Sequence, residues 1–225
     1  MRIDFAPVFE NLPFLIAGLQ GTLTVSAGAL VVGSLVGLGI ALLRLSASRP
    51  LRFVGGLYVD FIRSVPLLIL LVLFVYAFPI VVENLSGLSI RIDALFAGIL
   101  GLGLYAAAFL AEVFRTGILA VPSGQREAAL STGMTNRQAF RRIILPQAVR
   151  KIIPPATSTV LSLVKDSAVT FAIAVPELMA KAGSLNNGLQ RPIEVFLVVA
   201  GIYLVMTYPL LFLSDRMQRS VAEST

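Results

Sequence analysis

The residues with the greatest chemical potential in this chain form a polar row inside an apolar segment. Ser158, Ser162, Asp166 and Thr170 recur every four residues, and Lys165 lies at the edge of the row. Helical geometry brings side chains at this spacing onto one face. A charge at the depth of a lipid bilayer costs about 3 kcal/mol or more, so such a face must meet protein or a water-filled cavity. We predict either the lining of a polar pathway or a structural pairing with a neighbouring helix or a second copy. The candidate pathway residues are Ser158, Ser162, Lys165, Asp166 and Ser167.

The composition excludes several other kinds of chemistry. The chain has no His and no Cys, which removes the commonest general base, thiol nucleophiles and most transition-metal sites. Hydrophobic residues make up 57% and charged residues 13%, with a mean hydropathy of +0.89, whereas soluble domains carry about 25% charged residues. No Gly-x-x-x-x-Gly-Lys-[Ser/Thr] motif is present to bind nucleotide phosphates. We therefore predict an integral membrane protein without a catalytic residue, a metal site or a bound cofactor.

Five stretches are long and apolar enough to cross a hydrocarbon core about 30 Å thick, and lipid permits only helices or closed barrels there. The first lacks a basic leader and is too long for a signal peptide, so we expect it to remain a helix. The fourth is expected to begin at Pro154-Pro155, where a missing N–H costs little. The sequence predicts one all-α transmembrane domain over residues 1–225, with five transmembrane helices. The spans are about 12–43, 58–82, 94–118, 155–175 and 195–213, and a long loop covers 119–151.

The basic residues divide unequally between the two sides of such a bundle. If the C-terminus is cytoplasmic, thirteen Lys and Arg lie on the inner side and four on the outer side, as the positive-inside rule requires. This asymmetry explains the net charge of +6, so nucleic-acid binding is not needed to account for it. We therefore predict an external N-terminus and a cytoplasmic C-terminus. The inner set is Arg44, Arg49, Arg52, Arg63, Arg115, Arg126, Arg137, Arg141, Arg142, Arg150, Lys151, Arg216 and Arg219, and the outer set is Arg2, Arg91, Lys181 and Arg191.

Charged and small residues mark two further features of the predicted helices. Glu112 and Arg115 lie three residues apart near the cytoplasmic end of the third span, and Arg63 lies near that of the second. Ion pairs at this spacing are usually structural, and an inner gate is the alternative. Gly33 and Gly37, four residues apart, predict close helix packing or a dimer seam.

The long loop carries signals for two short helices. Ser123 can cap the first, Glu127 is expected in its first turn, and Gly133 favours a turn at its end. Thr135-Asn136-Arg137-Gln138 is typical of a capping box that begins the second helix, and Pro146 is expected to end it. The pair of helices could dock another protein or rest on anionic headgroups.

The loop resembles a known element at its usual spacing. Glu127-Ala128-Ala129, Gly133, Ile143, Leu145 and Pro146 resemble the EAA loop of ABC-importer permeases, and motifs over nearly the whole chain resemble the polar amino-acid permeases of the histidine, glutamine and glutamate type. The other matching motifs are Gly21-Thr22-Leu23-Thr24, Phe61-Ile62-Arg63-Ser64-Val65-Pro66-Leu67, Glu112-Val113-Phe114-Arg115, Val121-Pro122-Ser123-Gly124-Gln125-Arg126, Leu145-Pro146-Gln147-Ala148 and Lys165-Asp166-Ser167.

The resemblance implies a fold, partners and a location. The fold would be that of a type I ABC-importer permease in a bacterial inner (plasma) membrane. The loop would form a coupling helix seated in a separate ATPase dimer that binds ATP and Mg, because this chain has no ATPase activity of its own. Glu127 would meet a basic residue of that ATPase, Ala128 and Ala129 would permit close contact, and Gly133 would permit the turn. A second permease copy or a homologous permease would complete the pathway, and an external, periplasmic-type amino-acid-binding protein would deliver the substrate. The coupling residues implied are Glu127, Ala128, Ala129, Gly133, Ile143, Leu145 and Pro146.

The function implied is inward translocation of a polar L-amino acid, and likeness to glutamate-type permeases favours acidic or amide side chains. Ser158 stands where relatives often have Asn, and Phe109 where they often have Tyr, so both positions bear on the substrate preference. The alternatives are a secondary, ion-coupled transporter, which would use intramembrane carboxylates and inverted repeats, a membrane-embedded enzyme, and a structural anchor in which the polar row is dispensable.

Overall fold

The computed structural model describes the backbone of residues 3–222 and the side chains of residues 3–218. Arg2 and the side chain of Arg219, which enter the charge comparison, lie outside these residues. Every regular element in the described range is helical, so the predicted all-α membrane fold is confirmed. The α-helices are α1 (Ala6–Glu10), α2 (Leu12–Leu45), α3 (Arg49–Ser64), α4 (Leu67–Val72), α5 (Phe78–Ser86), α6 (Ala94–Leu119), α7 (Ser123–Ser131), α8 (Asn136–Ala139), α9 (Leu145–Asp166), α10 (Leu178–Leu189) and α11 (Pro192–Ala222).

Four helical stretches of the described chain are long and apolar enough to cross a membrane, and a bent pair raises the number to five. The bent pair joins Asn136–Ile173 to Leu178–Leu189 at an angle of 53°. The first and third predicted spans, 12–43 and 94–118, agree with α2 and α6 to within two residues at both ends. The agreement is close because charged or capping residues stand at the ends of both apolar runs. The fifth prediction, 195–213, lies inside the longer α11.

Helices α2 and α6 form the centre of the fold and run parallel to each other. A Cβ atom on Gly33 would lie 3.1 Å from the Cβ of Ala106, and one on Gly37 would lie 2.9 Å from the carbonyl oxygen of Ala107. Only glycine permits this approach, so the Gly33–Gly37 pair packs α2 against α6 within one chain. Close helix packing is therefore the role the structure gives this pair.

The second predicted span, 58–82, is divided in the structure. Val65 is extended, with φ −105° and ψ 133°, because the ring of Pro66 disfavours the helical conformation in the preceding residue. The chain therefore forms α3, a break, and then α4 with a π-helical stretch, Leu73–Ala77, and α5. Tyr58, the predicted start, lies in the middle of α3 and donates a hydrogen bond of 2.6 Å to the carbonyl oxygen of Leu104 in α6.

The fourth span begins earlier than 155. A π-helical stretch, Phe140–Ile144, joins α8 to α9, so Pro146 lies in the first turn of α9 and does not end the preceding helix. Pro154 and Pro155 lie inside α9 and not at its start. Transmembrane helices tolerate interior prolines because neighbouring helices, hydroxyl groups and ordered water can satisfy the backbone groups that a proline leaves without a partner.

A further helix, α10, follows the bent end of α9 and was absent from the predicted elements. The carboxylate of Glu177 caps it by accepting a hydrogen bond of 2.6 Å from the Ala180 amide. Glu177 has no exposed surface and also accepts hydrogen bonds from Thr22 at 3.4 Å and Tyr203 at 3.2 Å. This cluster ties α2, α10 and α11 together at the end of the bundle opposite the 119–151 loop.

Candidate functional site

A cavity of about 380 Å³ lies between the middle of α6 and the C-terminal part of α9. On α6 the lining is the small side chain of Ala106 between two aromatic ones, and on α9 it is a row of mostly polar side chains spaced three or four residues apart. Thr170, predicted in the same row, is buried and bonded to the Ser167 carbonyl oxygen instead, because the chain becomes a 3₁₀-helix over Ser167–Ile173. The side chains that line the cavity are Tyr105, Ala106, Phe109, Ser158, Thr159, Ser162, Leu163, Lys165 and Asp166.

Four of the five predicted pathway residues line this cavity. Ser158, Ser162, Lys165 and Asp166 meet there, whereas Ser167 has no exposed surface and donates to the Val164 carbonyl oxygen at 2.7 Å. The change of helix type rotates Ser167 away from the cavity. Ser167 therefore lies behind the cavity lining and is not exposed to the cavity.

The cavity contains one cation and one anion side by side. Lys165 and Asp166 are neighbours in sequence, and neither forms an ion pair with another side chain of the described range. Adjacent residues on a helix point in different directions, so the two charges can meet two different groups of one bound molecule. Hydroxyl groups of Tyr105, Ser158, Thr159 and Ser162 complete the polar lining. Such a lining suits a small zwitterion.

An aromatic pair on α6 forms one wall of the cavity, with Phe109 nearer the 119–151 loop than Tyr105. The ring centroids of Tyr105 and Phe109 are 5.0 Å apart. The Arg63 guanidinium lies over the Phe109 ring, 5.5 Å from its centroid, a distance at which a cation is attracted to an aromatic face. Arg63 was predicted as a candidate gate or structural residue, and the structure places it directly behind this wall.

The predicted Glu112 and Arg115 pair forms, with Arg115 donating to the Glu112 carboxylate at 2.5 and 3.2 Å. Arg44, at the end of α2, donates to the same carboxylate. This third member was missed because no local pattern links residues 68 positions apart. The cluster joins α2 to α6, and Arg63 lies one turn of α6 away over Phe109 without forming an ion pair with Glu112.

The loop folds into the two predicted short helices with a changed start for the first. Pro122 is the N-cap residue of α7, Ser123 is its first residue, and Glu127 is its fifth, beyond the first turn. The capping box of Thr135 and Gln138 at the start of α8 is present as predicted. Gly133 adopts φ +84°, the left-handed conformation expected of a glycine that ends a helix.

The coupling candidates differ in exposure. Glu127, Ala128 and Gly133 are exposed, whereas the side chain of Ala129 is buried. Ile143 is half-buried in the π-helical stretch, and Leu145 and Pro146 are exposed at the start of α9. No group of three acidic side chains in the described chain could hold a metal ion.

Comparisons with known proteins agree with this architecture. Residues 29–224 match the family model "Binding-protein-dependent transport system inner membrane component". The chain is 36% identical to the "Probable glutamine ABC transporter permease protein GlnM" of Bacillus subtilis (strain 168) over 217 residues, covering 95% of this chain and 97% of that protein. It is 30% identical to the "Glutamate/aspartate import permease protein GltK" of Escherichia coli O157:H7 over 222 residues, covering 98% and 99%.

Solved structures show the same similarity. The "Crystal structure of an amino acid ABC transporter with histidines" contains a chain that is 34% identical, with a TM-score of 0.88 over 98% of this chain and 100% of that one. A chain of the "MetNI methionine ABC transporter" in an inward-facing form is 27% identical, with a TM-score of 0.76 over 94% and 98%. The resemblance to amino-acid ABC-importer permeases is thus confirmed, and the chain belongs to the family of binding-protein-dependent transport system inner membrane components.

Proposed function

We propose that this chain is the permease subunit of an ABC importer that carries a polar L-amino acid into the cytoplasm, and that the cavity between α6 and α9 holds the substrate. The supporting observation is the lining, in which an ammonium and a carboxylate, Lys165 and Asp166, lie beside several hydroxyl groups. The substrate carboxylate pairs with Lys165 and the substrate ammonium with Asp166. The volume of about 380 Å³ falls within the range of small-molecule sites, about 300–1,000 Å³.

The polar groups of the lining also indicate which side chain the substrate carries. The charges of Lys165 and Asp166 cancel, and the remaining polar groups of the lining are the hydroxyls of Tyr105, Ser158, Thr159 and Ser162. Hydroxyl groups can donate to and accept from an amide, or donate to a carboxylate. Amide and acidic amino acids are therefore the proposed substrates. The relatives described above are named as a probable glutamine permease and a glutamate/aspartate import permease, and two others as L-cystine and arginine transport system permeases.

The energy and the delivery of substrate come from other proteins in this proposal. An ATPase dimer, which itself binds ATP and Mg, binds the exposed part of α7 around Glu127 and Ala128. A second permease copy or a homologous permease closes the cavity from the side that is open in one chain. An external binding protein delivers the amino acid to the end of the bundle that carries α10, so the N-terminus is external and the C-terminus cytoplasmic.

The test is uptake by proteoliposomes that contain the permease with its partner ATPase and external binding protein. ATP-dependent uptake of labelled glutamine or glutamate is expected, and an ATPase variant that cannot hydrolyse ATP should abolish it. Uphill uptake by the permease alone on a sodium or proton gradient would overturn the proposal in favour of a secondary transporter. Calorimetry on the isolated binding protein identifies the amino acid independently of the permease.

A further inference from the structure

A second cavity, of about 620 Å³, lies where the 119–151 loop meets the ends of α2 and α6. The two long helices contribute only apolar side chains to its lining. Leu42 of α2 and Leu119 of α6 are 55% and 58% exposed, and Phe140 of the loop, in the same lining, is 38% exposed. The described chain therefore leaves an apolar groove uncovered at this end of the bundle, which we call the loop groove.

The loop adds polar groups to the loop groove, and one of them carries a charge. Among the described side chains of the lining, Arg126 alone is charged. It donates to the neutral side-chain oxygen of Asn136 at 2.8 Å, and it forms no ion pair with another side chain of residues 3–218. Because a guanidinium has several N–H donors, most of them remain available. A positive charge without a counter-charge thus lies beside the apolar surface.

The exposed apolar surface continues from the loop groove along α2. Val31, Leu35 and Leu38 precede Leu42 at intervals of three or four residues and are 59%, 70% and 46% exposed, so all four share one face of the helix. From Val31 to Leu42 the distance along the axis is about 16 Å at about 1.5 Å per residue. Half of a hydrocarbon core about 30 Å thick is about 15 Å. The row is therefore about as long as the acyl-chain region of one leaflet.

Charge indicates which kind of molecule fits the loop groove. Residues 119–151 contain six Lys or Arg and one acidic residue, Glu127. A second copy of this chain that docked here by two-fold symmetry would bring the same basic loop and would oppose like charges. A phospholipid with an anionic headgroup offers a phosphate to Arg126, which a guanidinium binds through paired hydrogen bonds, and acyl chains to the apolar row on α2.

We propose that the loop groove binds one anionic phospholipid from the leaflet on the loop side of the membrane. The phosphate lies against Arg126, and an acyl chain runs past Leu42 along the exposed row of α2. Glu127 and Ala128 do not line the loop groove, because successive residues of a helix point about 100° apart. The lipid therefore occupies a different face of α7 from the one proposed for the ATPase, and it joins the loop to the ends of α2 and α6.

The absence of Trp from the chain allows a direct test by fluorescence quenching. Phe140→Trp places a single reporter in the wall of the loop groove, and Leu119→Trp places a second one on α6 in a separate variant. The full-length permease is reconstituted alone in phosphatidylcholine vesicles that contain a minor fraction of phosphatidylglycerol brominated on its acyl chains. Brominated phosphatidylcholine at the same fraction is the reference, since bromine quenches Trp on contact.

Quenching should show that phosphatidylglycerol is enriched about fivefold beside the reporter relative to phosphatidylcholine, because one Arg near an anionic surface contributes about 1 kcal/mol. Equal quenching by the two brominated lipids would overturn the proposal, because the loop groove would then have no preference for an anionic headgroup. Absence of quenching by either lipid would also overturn it, since the loop groove would then be closed to the membrane and covered by protein.

Charge variants of the Phe140→Trp chain test the contact with the headgroup. Arg126→Gln should remove the enrichment, and Arg126→Lys, which keeps the charge, should retain most of it. Arg142→Gln is the matched control, because Arg142 is an exposed residue of the same loop that does not line the loop groove, and it should leave the enrichment unchanged. Equal losses in Arg126→Gln and Arg142→Gln would indicate general attraction to a basic surface and overturn the specific site.

The comparison of the two lipids requires only the reporter, so the proposal stays testable if Arg126→Gln folds poorly, which a lower protein level in the vesicles would reveal. None of these measurements involves amino-acid uptake, so their outcome is independent of the proposed function.

Discussion

Replacing Glu112 by Gln tests whether the cluster of Arg44, Glu112 and Arg115 holds the bundle together or gates the pathway. The carboxylate accepts from Arg115 twice and from Arg44 across to α2. Gln keeps the shape and one acceptor oxygen but removes the negative charge. Two guanidinium groups then face each other without a counter-charge.

The magnitude follows from the exposure of the three side chains. Arg44 is 19% exposed, Arg115 25% and Glu112 26%. Removing one partner of a fully buried pair costs about 3–5 kcal/mol, and exposed pairs contribute about 0–1 kcal/mol. Partial exposure places Glu112→Gln between these limits, at about 2 kcal/mol. In a chain of this size that corresponds to a fall in Tm of about 4–8 °C.

The assay is thermal unfolding in detergent, followed by helical circular dichroism. Arg44→Gln and Arg115→Gln serve as a matched pair, since each removes one positive charge but only Arg44 joins two helices. Arg44→Gln should therefore lower the Tm more than Arg115→Gln. An unchanged Tm for Glu112→Gln, together with substrate leak or uncoupled ATP hydrolysis, would refute the structural role and favour a gate.

Three further predictions concern the packing of α2, the turn of the loop and the cavity. Gly37→Ala should destabilise the protein by about 1–3 kcal/mol through its contact with the α6 backbone, whereas Gly39→Ala, with no atom within 4 Å of its Cβ, should be neutral or stabilising in the same thermal assay. Gly133→Ala should cost the loop turn about 1 kcal/mol because of its positive φ and lower ATP-driven uptake about fivefold, while Gly124→Ala, which has open space around its Cβ, should transport normally. Asp166→Ala should abolish most transport at normal expression, and full transport by this variant would refute a direct role for Asp166.

The sequence predicts best the elements whose limits are local. The uncharged runs of α2 and α6 end at Arg44 and Glu112. The run of α6 begins after Asp93, which caps the helix by accepting from the Phe96 amide at 3.0 Å. The capping box at Thr135 is similarly local, because all of its bonds lie within four residues. These features required no knowledge of the tertiary packing.

The errors concern proline and contacts between distant residues. Pro146 and Pro154 were interpreted as helix boundaries, but a proline in the first turn or beside packed helices can be accommodated within a longer helix. Helix α10 was missed because its polar composition resembles a loop, although Glu177 after Pro176 is a recognisable cap. Arg44 could not have been assigned to the Glu112 cluster, since only the packing of α2 on α6 brings them together.

The continuous helix from Asn136 to Ile173 gives the fold a mechanical link between the coupling loop and the cavity. Its first residues follow the capping box of the loop, and Ser158, Ser162 and Asp166 line the cavity farther along the same helix. From Leu145 to Ser158 the distance along the axis is about 20 Å at about 1.5 Å per residue. If Pro146 and Pro154 interrupted the helix, as the sequence predicted, the loop and the cavity would lie on two separate helices. Because they share one helix, a tilt imposed at the loop would move the cavity wall against α6, and the interior prolines are the places where that helix can bend.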